Sequence, residues 1–223
     1  MTNNSIDYSP LTCNLISLTD GAAELLNRIF PSLRSYLDKE HIGTKFGATQ
    51  PKICDMALTN DTDADYLIAV GDGTPESLAA LNEVFDDKPR QTLLLAVLVG
   101  EANACPPCAT FITEEGRLEE LLYDISALIA VRRYCNTSFE NVFDFFRRLG
   151  VVRCYNYSKR LSPLDFEQVK QCWITIARPE ENLTADTTLL EDVLLLLPDD
   201  CKVMWNMRAC RAGERGVSVR LYS

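Results

Sequence analysis

A chain of 223 residues is long enough for one large or two small domains with an ample core. Its composition, 47% hydrophobic and 24% charged, is that of an ordinary globular protein. A net charge of -10 argues against a nucleic-acid backbone or an anionic membrane as the main partner. The first ten residues carry neither a basic region nor an apolar core, so they do not read as a signal peptide, and apolar runs such as Leu93–Val99 are too short to span a bilayer. The expectation is a cytoplasmic protein with no membrane insertion.

Leu11–Leu18 reads as a first strand, and Thr19-Asp20-Gly21 as a turn that caps the helix behind it. Ala22–Leu37 has apolar residues at helical spacing, with Pro31 bending or dividing the helix. His41–Asp63 is mixed, with a short helix or strand expected near Ile53–Leu58. The run Tyr66–Val70 then meets the tight turn Gly71–Thr74, and a helix starts at Pro75 and continues to about Phe85. Thr74 suits the N-cap and Pro75 the first helical position, where a missing N–H costs nothing. An apolar strand ending in glycines before a helix predicts a buried parallel strand feeding a crossover. Ligands in open α/β sheets sit at such carboxyl ends, and helix N-termini attract phosphate, so this turn is the natural place for a nucleotide.

Gln91–Val99 is apolar on both faces, as a central strand should be. Thr113–Asp124 predicts a helix with Leu118, Leu121 and Leu122 inward, and Ile125–Val131 a further buried strand. Alternating strand and helix to this point gives an α/β fold with a doubly wound, mostly parallel sheet. The rhythm then changes. Ser138 caps a helix through Leu149, a basic stretch runs from Arg147 to Arg160, and Ser162 caps a short helix behind Pro163. Trp173–Ala177 is a strand, and Thr184 or Asp186 opens a helix to Leu197 that Pro198 stops. Lys202–Cys210 and Gly216–Tyr222 are two strands that can pair as a hairpin. The tail is thus a smaller α+β unit, and the expected divisions are 1–134, a connecting helix and loop over 135–165, and 166–223.

Nine cysteines are scattered, mostly in apolar segments, as small buried hydrophobes. The pair Cys105-Pro-Pro-Cys108 has the spacing of a redox couple or of half a zinc site. Zinc would need two further ligands, and with one histidine in the chain no cysteine spacing supplies them. No metal site is assigned, and a redox role for Cys105 and Cys108 stands as an alternative.

Several segments, in order, resemble FtsZ, the tubulin-like GTPase. Glu114–Ile129 is similar to that family's Ala-Glu-x-Gly-Ile-x-Glu-Leu-x-x-x-Val-Asp-Ser-Leu-Ile, with one residue inserted. Ala64–Val70 resembles the strand before its glycine-rich phosphate loop, and Ile16–Ile29 its first loop and helix. Leu161–Lys170 is similar to its synergy loop at Leu161, Asp165, Phe166, Val169 and Lys170. The resemblance implies the FtsZ fold, GTP or GDP with Mg²⁺ as cofactor, and self-association or contact with another FtsZ-like protein in a filament or in cell division. Carried over by position, Asp20, Gly21, Ala22, Gly71, Asp72, Gly73 and Thr74 are the nucleotide contacts. Asp165 is the catalytic acid, and Gln168 stands where the family has a second one. Asp165, Phe166, Lys170 and the basic run from Arg147 to Arg160 would form the surface that meets the acidic turns at Asp20 and Asp72.

The departures bear on activity. The family's glycine loop is replaced by Gly71-Asp72-Gly73-Thr74-Pro75-Glu76-Ser77, in which Pro75 donates no N–H and two carboxylates face a phosphate. Only Gly21 remains of the first glycine run. An amide at Gln168 keeps a hydrogen bond and loses the charge that steadies an attacking water. The expectation is weakened GTP binding and lost hydrolysis, with association as the remaining role. A GTP-binding, GTP-hydrolysing enzyme, in which Thr74 or Ser77 reaches the metal, is the alternative.

Overall fold

The computed structural model describes residues 11–42, 54–100, 106–130, 139–147, 150–156, 162–179, 188–211, 214 and 218–223. The first sheet has six strands, all parallel: β1 (Leu11–Ser17), β2 (Cys54–Leu58), β3 (Tyr66–Gly71), β4 (Leu93–Val99), β5 (Ala109–Thr113) and β6 (Val151–Val152), in the spatial order β2-β1-β3-β4-β5-β6. β3 and β4 are buried on both faces, which is why they read as continuous apolar runs. Of the segment left open between helix and strand, Cys54–Leu58 is the edge strand β2, and Ile53 lies outside the described residues.

Helix α1 (Asp20–Ile42) runs without division through Pro31. Pro31 and Asn27 both face solvent, so the carbonyl that the proline leaves unbonded is open to water. Its buried stripe, Leu26, Ile29 and Leu33, packs with α3 (Glu115–Ala130) and α4 (Phe139–Phe146) on one face of the sheet. Helix α2 (Pro75–Asp87) covers the opposite face, with Leu81 fully buried among Leu67, Ala69, Leu94, Ala96 and Leu98.

Two expectations are corrected. Ile125–Val131 is not a strand: α3 continues through Ala130, because Ile125, Leu128 and Ile129 extend the helical spacing of Leu118, Leu121 and Leu122 onto one buried stripe. The strand next to β4 is instead β5, directly ahead of α3. Nor do the last two strands form a hairpin. In the second sheet, β7 (Cys154–Asn156), β8 (Gln171–Arg178), β9 (Lys202–Ala209) and β10 (Ser218–Tyr222) stand in the order β7-β10-β8-β9. β8 separates the two, pairing parallel with β9 and antiparallel with β10. β8 is the apolar, fully two-faced member and therefore takes the middle.

The chain passes from the first sheet to the second through Arg153 alone, between β6 and β7. α4 stands before β6, so it belongs to the crossover that leads to that strand. One face of the second sheet carries Trp173, Met204 and Tyr222 into the core of the first. The Tyr222 ring stacks on Trp173 with centroids 4.4 Å apart, and Phe146 meets Trp173 edge-on at 5.8 Å. The other face packs Cys172, Ile174, Ile176, Met207 and Leu221 against α5 (Thr188–Leu194) and Phe166. The helix expected from Thr184 or Asp186 begins at Thr188 within the described residues; Thr184 and Asp186 lie outside them, as does Ser138.

Candidate functional site

In the order β2-β1-β3, the chain leaves β1 toward one edge of the sheet and returns at β3 on its other side. That reversal opens a crevice at the carboxyl ends of β1 and β3, the place where open α/β sheets hold ligands. Both turns singled out in the sequence, Asp20–Ala22 and Gly71–Thr74, lie there. The Leu18 N–H donates to the Val70 carbonyl at 2.8 Å and ties the two together.

Asp20 and Gly21 open α1 and are exposed, whereas Ala22 is buried. The Ala22 N–H donates to the Thr19 hydroxyl at 3.3 Å, a helix cap of the expected kind. Added bulk at Gly21 would meet open space. In the second turn, Gly73 has φ of 73°, the left-handed conformation that favours glycine. Thr74 caps α2, its hydroxyl accepting the Ser77 N–H at 3.3 Å, with Pro75 at the first helical position.

The central feature of this turn is Asp72. Its Oδ1 accepts the Thr74 N–H at 3.1 Å and the Thr74 hydroxyl at 2.7 Å. The hydroxyl bond, followed by the backbone one, holds the Asp72 carboxyl below the usual carboxylate range. The turn thus carries its own anion, bound to donors that a phosphate would use. Ser77, proposed as a reach to metal, is fully buried; it fills the space beside Gly71, where a Cβ would lie 1.9 Å from its hydroxyl oxygen. Its hydroxyl has no hydrogen-bond partner among the described residues. In this turn the N–H and hydroxyl of Thr74 are taken by the Asp72 carboxylate, and the Ser77 hydroxyl lies inside the core. No cluster of three or more histidine, cysteine or acidic side chains suited to a metal occurs among the described residues.

The residues of the synergy-loop likeness sit before β8. Ser162 and Asp165 form a reciprocal capping box around a single 3-10 turn, Pro163–Phe166, the Ser162 N–H donating to Asp165 Oδ2 at 2.8 Å. Asp165 is therefore held by its own turn. Phe166 does not contribute to a surface: it is fully buried, and its ring meets Tyr155 at 5.2 Å. The exposed apolar residue of this turn is Leu164, at 79%. Lys170 pairs with Asp200 at 2.8 Å on the surface, and Gln168 lines a shallow cleft of about 820 Å³ with Arg153, Lys170 and Lys202. Of the basic run, Arg147 and Arg153 are exposed, while residues 148–149 and 157–160 lie outside the described residues. So does Cys105. Burial pushes the Cys108 thiol up to about 11, opposite to what a redox thiolate needs.

Sequence reasoning missed a buried charge cluster. Asp124 of α3 accepts from Arg208 Nε, Arg220 Nε and Nη2, and the Tyr222 hydroxyl. Arg208 also forks onto Glu214, and Arg220 reaches Glu120. Burial opposes the charge on both arginines, and their carboxylate partners outweigh it, so both pKa values rise. The available signal was Arg208 and Arg220, charges set at inward positions of apolar strands.

The topology and the two turns define a class, an open parallel α/β sheet with a switch-point crevice and a mixed second sheet beside it. The particular fold is that of FtsZ and its tubulin-like relatives. A mutant of FtsZ from M. jannaschii matches with a TM-score of 0.59 at 10% identity, covering 96% of this chain and 90% of that one. An empty FtsZ dimer from M. jannaschii matches equally well, at 0.59 and 10% identity over 97% of this chain and 88% of that. CetZ1 from Haloferax volcanii, a GDP-bound monomer, matches at 0.52 and 10% identity over 95% and 93%. No protein-family model and no curated protein matches the sequence. No described helix is long and apolar enough to cross a membrane.

Proposed function

We propose that this chain is a tubulin-fold protein that acts by protein–protein association and has given up GTP hydrolysis, with nucleotide binding weakened or lost. One observation carries the reading: the Asp72 carboxylate already holds the N–H and O–H of Thr74 in the switch-point turn. A phosphate entering there would have to displace an ion that belongs to the chain and would meet its charge. Asp165 and Gln168 remain the degenerate remnant of a catalytic pair, and Asp20, Gly21, Ala22, Gly71, Asp72, Gly73 and Thr74 the degenerate remnant of a nucleotide site.

The partner is a second copy or another protein of this fold, as in the dimer seen for M. jannaschii FtsZ. Two surfaces of different charge pattern, one acidic and one mixed, support a head-to-tail contact. One bears the acidic turns at Asp20 and Asp72 with exposed Glu76; the other bears Lys170, Lys202 and Asp165 around exposed Leu164. The divisions 1–134, 135–165 and 166–223 belong to this reading, as do a cytoplasmic location and a role in filaments or cell division. A GTP-binding enzyme is the second reading, favoured by the likeness to GDP-bound CetZ1.

Equilibrium titration with GTP and GDP in Mg²⁺, with light scattering on the same sample, separates the two. The proposal expects no saturation at millimolar nucleotide and association that is indifferent to it. Micromolar binding with nucleotide-dependent assembly overturns it.

A further inference from the structure

A second cleft of the molecule lies away from the switch-point crevice. It lies outside the carboxyl ends of β4, β5 and β6 and is closed on the far side by the second sheet. Its volume is about 810 Å³, within the range of small-molecule sites, and it sits between two layers, where such sites concentrate. No residue of Asp20–Ala22 or Gly71–Thr74 lines it. The floor is apolar, with Ile112, Leu121, Val151 and the ring of Tyr222.

The charged lining is unusual for this chain. The buried arginines Arg208 and Arg220 are locked onto carboxylates, yet Arg117 and Arg153, which line this cleft, make no ion pair among the described residues. Arg117 projects from the first turn of the 16-residue helix α3, and Arg153 is the single residue that joins the two sheets. Arg117 is near enough to act electrostatically on Cys154 of β7, whose thiol burial otherwise pushes up. Of the acidic residues in the lining, Glu120 pairs with Arg220, which it shares with Asp124 and Glu214, and Glu114 stands exposed on the rim. Two guanidiniums without an ion pair among the described residues therefore line the cleft beside these carboxylates. The cleft also opens beside the N-terminus of α3, whose second residue, Gly116, has open space around it.

We propose that this inter-sheet cleft binds a small phosphorylated ligand with a flat apolar body, the phosphate held by Arg117 and Arg153 and the body resting on Val151, Leu121 and Tyr222. Paired guanidiniums match phosphate oxygens in fixed, forked geometry. The site is independent of the nucleotide reading above.

The probe is phenyl phosphate, with benzoate as the carboxylate control. Trp173 fluorescence reports occupancy, because Trp173 stacks on the Tyr222 that lines the cleft. Saturable binding of phenyl phosphate is expected, weakened about tenfold or more in each of Arg117→Ala and Arg153→Ala, with benzoate clearly weaker. Both arginines are partly or fully exposed and make no ion pair among the described residues, so both variants should keep the parent's thermal midpoint. Absence of saturable binding, or binding that neither substitution weakens, overturns the proposal. Benzoate binding as tightly as phenyl phosphate overturns the phosphate assignment.

Discussion

Asp124 Oδ1 accepts the Nε–H of Arg208 at 2.6 Å, and neither side chain reaches solvent. The pair joins α3, on the first sheet, to β9 of the second, and Arg220 and Tyr222 extend it to β10. A buried pair of this kind is a weak source of net stability but a costly one to break, because the survivor is left charged and unsatisfied. Asp124→Asn removes the buried charge that two guanidiniums share, leaving them Glu214 and Glu120, and should lower the unfolding free energy by about 3 kcal/mol. Tyr222→Phe removes one hydroxyl donor and should cost only about 1–2 kcal/mol. Urea denaturation of both variants checks the ranking; an Asp124→Asn protein as stable as the parent would show that the cluster is solvated.

Glu214 adds a pH dependence. Burial raises its pKa, but the fork of Arg208 lowers it further, to about 2 from an ordinary 4.5. A carboxylate depressed in the folded state stabilises the fold above its unfolded pKa and loses that contribution as pH falls through the folded one. The stabilisation should be complete above about pH 4.5 and lost toward about pH 2. Measured as urea midpoint against pH, the gap between the parent and Glu214→Gln should be constant near neutrality and close across that window. A gap that persists at pH 2 would contradict it.

The strands and caps were legible because their causes are local. Tyr66–Val70 ends in Gly71, Thr74 precedes Pro75, and Ser162 stands three residues before Asp165, each pattern needing only its neighbours. The failures had non-local causes. Ile125–Ala130 suits strand and helix alike as a string, and only continuity with the stripe from Leu118 decides for helix. The final strands look like a hairpin until β8, nearly thirty residues earlier, takes the place between them. At the candidate site, the resemblance placed Asp72 in the turn where a phosphate was expected. It could not show that Thr74 binds Asp72, nor that Asp124, Arg208 and Arg220 meet across separations of 84 and 96 residues.

If Asp72 occupies the turn as an internal anion, removing it should reopen the donors. Asp72→Gly frees the Thr74 N–H and hydroxyl. The prediction is a gain of affinity for GTP over the parent of about tenfold, the worth of one charge-assisted hydrogen bond regained. Asp72 is exposed, so the loss of stability should stay within about 1 kcal/mol. Titration of parent and variant under the same Mg²⁺ concentration reads it. Equal affinities would mean that the turn excludes phosphate for another reason, such as Pro75.

Cys108 tests the redox alternative directly. Desolvation raises its thiol to about 11, and hydrogen bonds from Thr110 and Ala96 and the charge of Lys88 only partly offset this. Since the thiolate is the nucleophile, alkylation by iodoacetamide at pH 7 should be far slower than for an ordinary cysteine. Peptide mapping should show the Cys108 rate climbing with pH toward an inflection near 11. Fast labelling at neutral pH would restore a reactive thiol at this position.

The contact between Gly71 and Ser77 sets how tightly the two switch-point turns pack. A Cβ at Gly71 would lie 1.9 Å from Ser77 Oγ, 3.0 Å from Leu18 Cδ1 and 3.2 Å from Ser77 Cβ. Gly71→Ala therefore forces the start of α2 away from β3 and should cost about 1–3 kcal/mol. Ser77→Ala removes a buried hydroxyl without a hydrogen-bond partner among the described residues, and should be neutral or stabilising by about 1 kcal/mol. In the double variant the worst contact disappears while the Leu18 and Cβ contacts remain, so rescue should be partial. A double-mutant cycle by urea denaturation should give a favourable coupling of about 0.5–3 kcal/mol. Strict additivity would mean that Ser77 moves aside freely, and that the turn is looser than its packing indicates.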